Sequence, residues 1–460
     1  MARGRVSLPR RVVGRVRRAF RWDHRMEPRI AYLSPMPPAP TGVATYSRAV
    51  LEGLERIGYR KHEIRPIWPI EPKHEAQIPW HVLGIYHLGN NVAFHRDIYR
   101  HAIQTPGLVV VHDLALDDFV RGLVAAGDPL GHQAVREAMR NAPRLAGFEE
   151  AVRNEPLRVP YVAHVARRAR GIIVHSPFAE RYLRAFGCRT PVYVAPHPAV
   201  EREEAVRAAE RRRAVLRAGL EPMGMRSLVV AAGDLNEAKL LDRVVAAVAR
   251  LPEHVHLALV GRRIEGYDVD ALVRGSGLGA RLSLQADVSD EDFLAWLAAA
   301  DVVVDLRFPH RGEVSGTLAR AMQCGRATVV SGTGTYLDLS PEVVVHVSPG
   351  RVEPEELASA IARLLEDEER RERIGRAARE HMAELARTDA TARVYAAAID
   401  GTLALLADPT RRALARWAGA LADLGVTEDA LERGYGASYA RALAELVPER
   451  RSAAGEADPR

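Results

Sequence analysis

"RIAYLSPMPPAPTGVATYSRAVLEGLERIG", from Arg29 to Gly58, holds three pieces in order. A short apolar run comes first, then a loop rich in Pro and Gly, then a stretch with helical spacing that Gly58 closes. Strand, glycine-bearing loop and helix make the opening unit of a parallel α/β domain. Downstream the same grammar continues. "HVLGIYHLG" (81–89), "GLVVVHD" (107–113), "RGIIVHS" (170–176) and "PVYVAPHP" (191–198) are apolar without alternation, as strands buried on both faces are. Residues 121–170 read as mostly helical. The charged stretch 201–217 reads as an exposed helix-forming connection. A second strand series follows in "SLVVAAGD", "VHLALVGR", "RLSLQAD", "DVVVDLRF", "ATVVS" and "VVVHVSP". The expectation is an α/β protein of two Rossmann-like, doubly wound domains whose sheets turn their carboxyl ends to a shared cleft. The expected boundaries are a basic leader at 1–28, a first domain at 29–200, a linker at 201–225 and a second domain at 226–385. A crossover helix at 386–410 and a helical tail at 411–460, disordered at its end, complete the chain.

Composition bounds the function. Hydrophobic residues make up 47% of 460 and charged residues 27%, an ordinary globular balance. No apolar run reaches spanning length, and the basic start lacks the apolar stretch of a secretory signal, so a cytoplasmic location is expected. Cys188 and Cys324 make neither a disulfide framework nor a zinc site. The net charge of +6 is concentrated in "MARGRVSLPRRVVGRVRRAFRW" at the start. That segment reads either as a surface helix on an anionic membrane or as a disordered basic leader. No base-reading motif follows it, so no nucleic-acid partner is expected. Of 65 basic residues only Lys61, Lys73 and Lys239 are lysines. In a chain that defaults to arginine, each lysine stands out as a compact charge suited to reaching phosphate.

Two motifs carry chemistry. In "GDLNEAKLL" a strand ends at Gly233, a loop carries Asn236, and Lys239 reads as the start of an amphipathic helix. A cation there opposes the helix dipole, and a bound anion relieves the conflict; the plainer reading is an exposed lysine. In "RGEVSGTLARAMQCG" (311–325), Ser315 and Gly316 sit at a helix N-terminus, where unpaired N–H groups can cradle a phosphate. Glu313, just past the strand "DVVVDLRF", can accept hydrogen bonds from sugar hydroxyls; the plainer reading is a solvated acid.

These motifs, in this order, resemble retaining glycosyltransferases of family 4, which have the GT-B fold. "GEVSGTLARAMQCGRATVV" resembles their signature E-G-F-G-x-P-x-x-E-A-M-A-x-G-x-P-V-V in its first Glu, its glycines and its Ala-Met. "PMPPAPTGVATYS" looks like the N-terminal loop, with Gly42 at the glycine position. "GDLNEAK", "YHLGNNVAFH" and "VVVHDLALDDFV" are similar to further family segments, so the likeness runs from about Arg29 to Ile399. It implies a nucleotide-sugar donor held mainly by the second domain. Lys239 would meet the diphosphate, Ser315 and Gly316 the distal phosphate, and Glu313 the sugar; Asn236 and Gly42 join them. His112 would approach the donor sugar, the alternative being a satisfied core histidine. Asp113 would orient His112 or, more simply, cap the next helix. His87, Asn90, Asn91 and His95 are placed on the acceptor side, with His175 and Ser176 near the cleft. No metal or other cofactor is implied.

Two departures stand out. The family's arginine partner to the lysine is Asp234 here, with Arg307 or Arg311 as replacement cations. The second signature Glu is Arg320, which changes how the donor nucleoside is held. Three readings follow: transfer of sugar to an acceptor hydroxyl with retention, a degenerate nucleotide-sugar-binding protein, or a GT-B sugar-nucleotide epimerase. The last needs acid/base carboxylates that the sequence does not display.

Overall fold

The structure, a computed structural model, describes residues 29–75, 78 and 81–407. The arginine-rich leader and the tail at 411–460 lie outside the described residues. Two six-stranded sheets form, each wholly parallel. The first runs β2-β1-β3-β4-β5-β6, from β1 (Arg29–Leu33), β2 (Glu63–Ile67), β3 (Leu83–Leu88), β4 (Leu108–Val111), β5 (Gly171–Val174) and β6 (Val192–Val194). The second runs β12-β11-β10-β7-β8-β9, from β7 (Ser227–Ala232), β8 (Val255–Gly261), β9 (Leu282–Ala286), β10 (Val302–Asp305), β11 (Ala327–Ser331) and β12 (Val345–Val347). Both are Rossmann-like, as the sequence predicts. The strands β3, β4, β5, β8, β10 and β11 are buried along their whole length, which is why they show no alternation. The edge strand β2, "EIRPI", is mostly exposed and carries a proline, which an edge tolerates.

The helices that position the site are α1 (Gly42–Arg56), α2 (Val92–Gln104), α3 (Asp117–Ala125), α4 (Glu203–Ala218), α5 (Leu241–Val248), α6 (Asp290–Ala299), α7 (Gly316–Gln323), α8 (Glu368–Arg387) and α9 (Ala390–Ala407). The stretch expected as an exposed, helix-forming connection is α4. Its Val206 and Ala209 are buried with Leu228, Val230 and Leu294, so it belongs to the second core. Helix α8 lies against the turn that ends α7. A Cβ on its Gly375 would stand 2.3 Å from the Gly325 carbonyl oxygen, so only glycine permits this approach. By length and composition α9 is apolar and long enough to cross a membrane, although no uninterrupted apolar run in it reaches that length. Arg393 and Asp400 interrupt the run and hide it in the sequence. Its Ala392, Tyr395 and Ala398 are nonetheless core residues. The Tyr395 and Tyr46 hydroxyls are 3.0 Å apart, and Arg56 of α1 donates to Asp389 at 2.8 Å, so this segment returns to the first sheet's helices.

The two sheets' carboxyl ends are tied directly. Leu114 N and Ala115 N, past β4, donate to the Arg311 carbonyl past β10 at 2.8 and 3.1 Å. Arg311 reaches Asp117 at 2.9 Å and Asp118 at 2.8 Å on α3. Glu150 accepts from His310 at 2.7 Å and from Thr333. Gly375→Ala is expected to destabilise the protein by roughly 1–3 kcal/mol, the cost of forcing a methyl into packed backbone. Gly42→Ala, whose Cβ would meet nothing within 4 Å, is expected to shift stability by under ~0.5 kcal/mol. Paired denaturant titrations of the two variants check the contrast.

Candidate active site

The site is built where β7, β10 and β11 end. After β7 the chain turns at Gly233, whose φ of 115° is open to glycine and not to other residues. A short 3-10 turn, Glu237–Lys239, follows, and Leu240 with φ 50° redirects the backbone into α5. Lys239 therefore closes a turn and does not open a helix. Its ammonium folds back beneath Gly233, where a Cβ would come 3.0 Å from Nζ and 2.8 Å from Thr317 Oγ1. Nor is it the solvent-exposed lysine of the plainer expectation. It is 5% exposed and ion-paired with Asp305, the last residue of β10, which is 0% exposed. Tyr336 donates to the other Asp305 oxygen at 2.9 Å. Burial pushes the Asp305 carboxyl up, but Lys239 and then Arg307 outweigh it and hold it below the usual carboxylate range. Burial likewise lowers the Lys239 ammonium, with Asp305 opposing.

Two residues past Asp305, Arg307 Nε lies 3.0 Å from Glu313 Oε1, an ion pair whose N–H is too far off line for a hydrogen bond. Glu313 Oε2 accepts from Arg311 N at 2.6 Å. Burial raises the Glu313 carboxyl, Arg307 pulls it back, and the net position is below the ordinary value, so it is ionised at neutral pH. Ser315 caps α7, accepting from Leu318 N at 3.2 Å. The Gly316 and Thr317 N–H groups stand ahead of the first intrahelical bond. Lys239, Arg307, Glu313 and the α7 N-terminus thus form one band with alternating charge. Asn236, on the β7 loop, has a buried side-chain oxygen without a partner among the described residues.

Several expected roles are corrected. Of the two expected replacement cations, Arg311 pairs with Asp117 and Asp118, while Arg307 pairs with Glu313 and acts electrostatically on both Lys239 and Asp305. Asp234 does not oppose a phosphate unaided. Arg262 holds both its oxygens at 2.9 and 3.0 Å, and also donates to the Pro40 carbonyl in the loop before Gly42. Arg320 turns to Glu201, at 2.6 Å, and lies over Phe293, 5.8 Å from its ring centroid. That geometry ties it to Glu201, in the segment between the sheets.

The first-domain histidines also differ from expectation. His112 Nε2 is 3.0 Å from His87 Nδ1, and its Nδ1 is 3.2 Å from His175 Nε2. His175 Nδ1 faces the Ala195 carbonyl at 3.2 Å and must donate to it. The tautomers follow in sequence: His112 donates to His175, His87 donates to His112, and His87 Nε2 is left as a buried acceptor with no partner among the described residues. Burial lowers all three, His175 to about 3, so the chain is neutral at pH 7. His112 is half-buried, with both ring nitrogens engaged by other histidines. His87 is fully buried and His95 bonds its carbonyl at 3.0 Å. Asn91 caps α2, accepting from Ala93 N at 2.9 Å, and Asn90 braces Asp117, Asp118 and Phe119 N. These contacts hold the loop together, with Asn91 exposed and His87 and His95 buried. Asp113 neither caps α3, where Leu116 stands with no side-chain cap, nor orients His112. It accepts from Asn90 N at 2.8 Å.

Beside the band lies a cavity of about 250 Å³ between the two sheets, lined by His175 and His197 on one side and Ser315, Leu318, Tyr336 and Met382 on the other. Of the expected donor residues only Ser315 reaches it; His112, Lys239, Glu313 and Gly316 do not. Among the described residues no group of three or more His, Cys, Asp or Glu is placed to hold a metal ion. Asp305 and Tyr336 were not among the residues expected from the sequence. A charged residue closing the run "VVVD" is the signal for the first; nothing local marks the second.

Residues 213–381 match the family Glycosyl transferases group 1. The D-inositol 3-phosphate glycosyltransferase of Xylanimonas cellulosilytica is 29% identical over 157 residues, which cover 33% of this chain and 37% of that protein. The matched region is thus little more than a third of that relative's length. Sucrose-phosphate synthase from Thermosynechococcus elongatus superposes with a TM-score of 0.56 at 19% identity, covering 80% of this chain and 96% of that one. Anabaena HepE in complex with UDP and glucose does so at 0.52 and 16%, covering 81% and 99%. The fold is of the GT-B type, and the likeness to Glycosyl transferases group 1 lies in residues 213–381.

Asp113 gives this region a pH signature. Burial, and then the nearby Glu313, push its carboxyl up to about 7. The folded state therefore holds a proton that the unfolded state has released above about pH 4. Stability from this group is full below that and is lost as pH rises through about 7. Asp113→Asn keeps an oxygen for Asn90 N, and is expected to exceed the parent by roughly 1–2 kcal/mol above pH 7 and to match it near pH 4. Unfolding measured across that range checks this; a gap independent of pH counts against it.

Proposed function

We propose that the protein is a retaining glycosyltransferase, similar to family 4, that moves a sugar from a nucleotide-sugar donor to an acceptor hydroxyl. The observation that carries the reading is the band itself. Two cations, Lys239 and Arg307, one ionised acid, Glu313, and the start of α7 converge at the carboxyl end of the second sheet, where an α/β domain receives an anionic ligand. In this scheme the diphosphate shares Lys239 with Asp305, draws on Arg307 and reaches the Gly316 and Thr317 N–H groups. Stabilising that leaving group is the main catalytic contribution. Glu313 receives the sugar hydroxyls. The loop after β4, hydrogen-bonded to Arg311, supplies the opposite wall and orients the acceptor. Peripheral contact of the basic leader with an anionic membrane at the cytoplasmic face belongs to the same proposal.

A second reading, a nucleotide-sugar-binding protein without turnover, is favoured by one observation: Lys239 and Arg320 both already have carboxylate partners. Incubation with UDP-, GDP-, ADP- and dTDP-sugars, with released nucleoside diphosphate and ligand-induced stabilisation read together, separates the two. Release with a retained anomer supports the transferase, and stabilisation without release supports the binder. UDP-sugars come first, since HepE is seen with UDP and glucose.

Lys239→Ala alone strands Asp305 as a buried unpaired charge, which costs ~3–5 kcal/mol of stability. The paired variant Lys239→Met with Asp305→Asn removes both charges. It is expected to lose roughly 1.5–3 kcal/mol of nucleoside diphosphate affinity, about 10- to 100-fold, with nucleoside affinity unchanged. Calorimetry with the diphosphate and the bare nucleoside decides it; equal losses for both remove Lys239 from the phosphate site. Glu313→Gln is expected to lower kcat far more than diphosphate affinity, which transfer assays at saturating donor will show.

A further inference from the structure

At the opposite, amino end of the second sheet lies a cavity of about 330 Å³ that the proposed reaction does not use. Asp301, just before β10, and Ala327, which opens β11, form its floor, and α4 and α8 close its sides. Five arginines line it against three carboxylates. Those carboxylates are already engaged. Asp301 takes Arg217 at 2.6 Å, Glu368 takes Arg371 at 3.3 Å, and Glu372 takes Arg376 at 3.2 Å. Arg379, also on the wall, pairs with Glu210 at 2.7 Å and Glu203 at 3.3 Å, both on α4.

Arg213 and Arg326 are left over. Neither has a carboxylate within ion-pair distance among the described residues. Arg326 Nε donates to the Cys324 carbonyl at 2.8 Å, which fixes the guanidinium and leaves its two terminal nitrogens free. Burial, reinforced by Arg213, pulls the Arg326 guanidinium below its ordinary value. Two guanidiniums without carboxylate partners on one concave wall repel each other, and a shared anion turns that repulsion into attraction. The planar fork of arginine matches phosphate oxygens in pairs, and the volume admits a phosphate with a small organic group attached.

We propose that this cavity is a binding site for a small soluble phosphate-bearing anion, held by Arg213 and Arg326 and separate from the donor site. The probe is inorganic phosphate, titrated by calorimetry at ionic strength held constant with sodium chloride. The Lys239→Met, Asp305→Asn protein serves as background, in which the donor site is weakened, and the arginine variants are compared within it. Saturable binding is expected in that background. Arg213→Glu is expected to weaken it at least tenfold, and Arg326→Gln similarly, with nucleoside diphosphate binding by the otherwise unaltered protein unchanged. Arg213 is exposed, so its variant keeps the fold and the test stands on it alone if Arg326→Gln does not. Phosphate binding that survives both substitutions overturns the proposal. So does its absence from the Lys239→Met, Asp305→Asn background while the parent protein binds, or an equal response to chloride.

Discussion

A buried ammonium needs a counter-charge, and much of the second domain's carboxyl end is arranged around that need. Leaving Lys239 unpaired at 5% exposure would drive it to give up its proton. Asp305 answers from the last position of β10, and Tyr336 fixes the second carboxylate oxygen. Gly233 must lack a side chain for the lysine to fold beneath it, and its left-handed turn starts the loop that delivers the lysine. Thr317, at the start of α7, closes the same space. Four segments distant in sequence are thus fixed by one charge pair. The cations there are held in place before any ligand arrives, the condition under which electrostatic stabilisation is most effective.

A second constraint is the set of ties between the sheets. Arg311 links β10 to α3, Glu150 reaches into the loops after β10 and β11, and Arg262 connects Asp234 to the glycine loop of the first domain. These are polar contacts at the rim, individually modest.

The sheets were legible because parallel strands buried on both faces leave continuous apolar runs such as "GIIV" and "VVVD", and partly buried strands such as β9, "LSLQA", continue the same series. The strand β2 was not, since "EIRPI" at an exposed edge carries neither period nor purity. At the site, Ser315 and Gly316 were readable, because a cap and a glycine before a helix are local chemistry. Partner choice was not. Nothing near Lys239 in sequence announces Asp305, 66 residues on, and nothing near His112 announces that His87 and His175 will occupy both its nitrogens. Which side chains stand near a strand end was therefore readable, while the partners that His112, Asn91 and Arg320 take up were not. Hydrogen-bond saturation is a tertiary property, and spacing along the chain does not encode it.

The Tyr46–Tyr395 hydrogen bond bears on how the protein is made. The two residues are 349 positions apart, yet both rings are fully buried in the first domain's helical layer. On a ribosome adding residues in order, the first sheet emerges and collapses long before α9 exists. Until then the apolar face of α1 that Ala392 and Tyr395 later cover stays open, and the Tyr46 hydroxyl keeps only the long contact to His175 Nδ1, at 3.4 Å. The first domain is therefore the earliest to begin folding and among the last to finish. During that interval its uncovered face is the surface on which a chaperone or an unwanted neighbour would act.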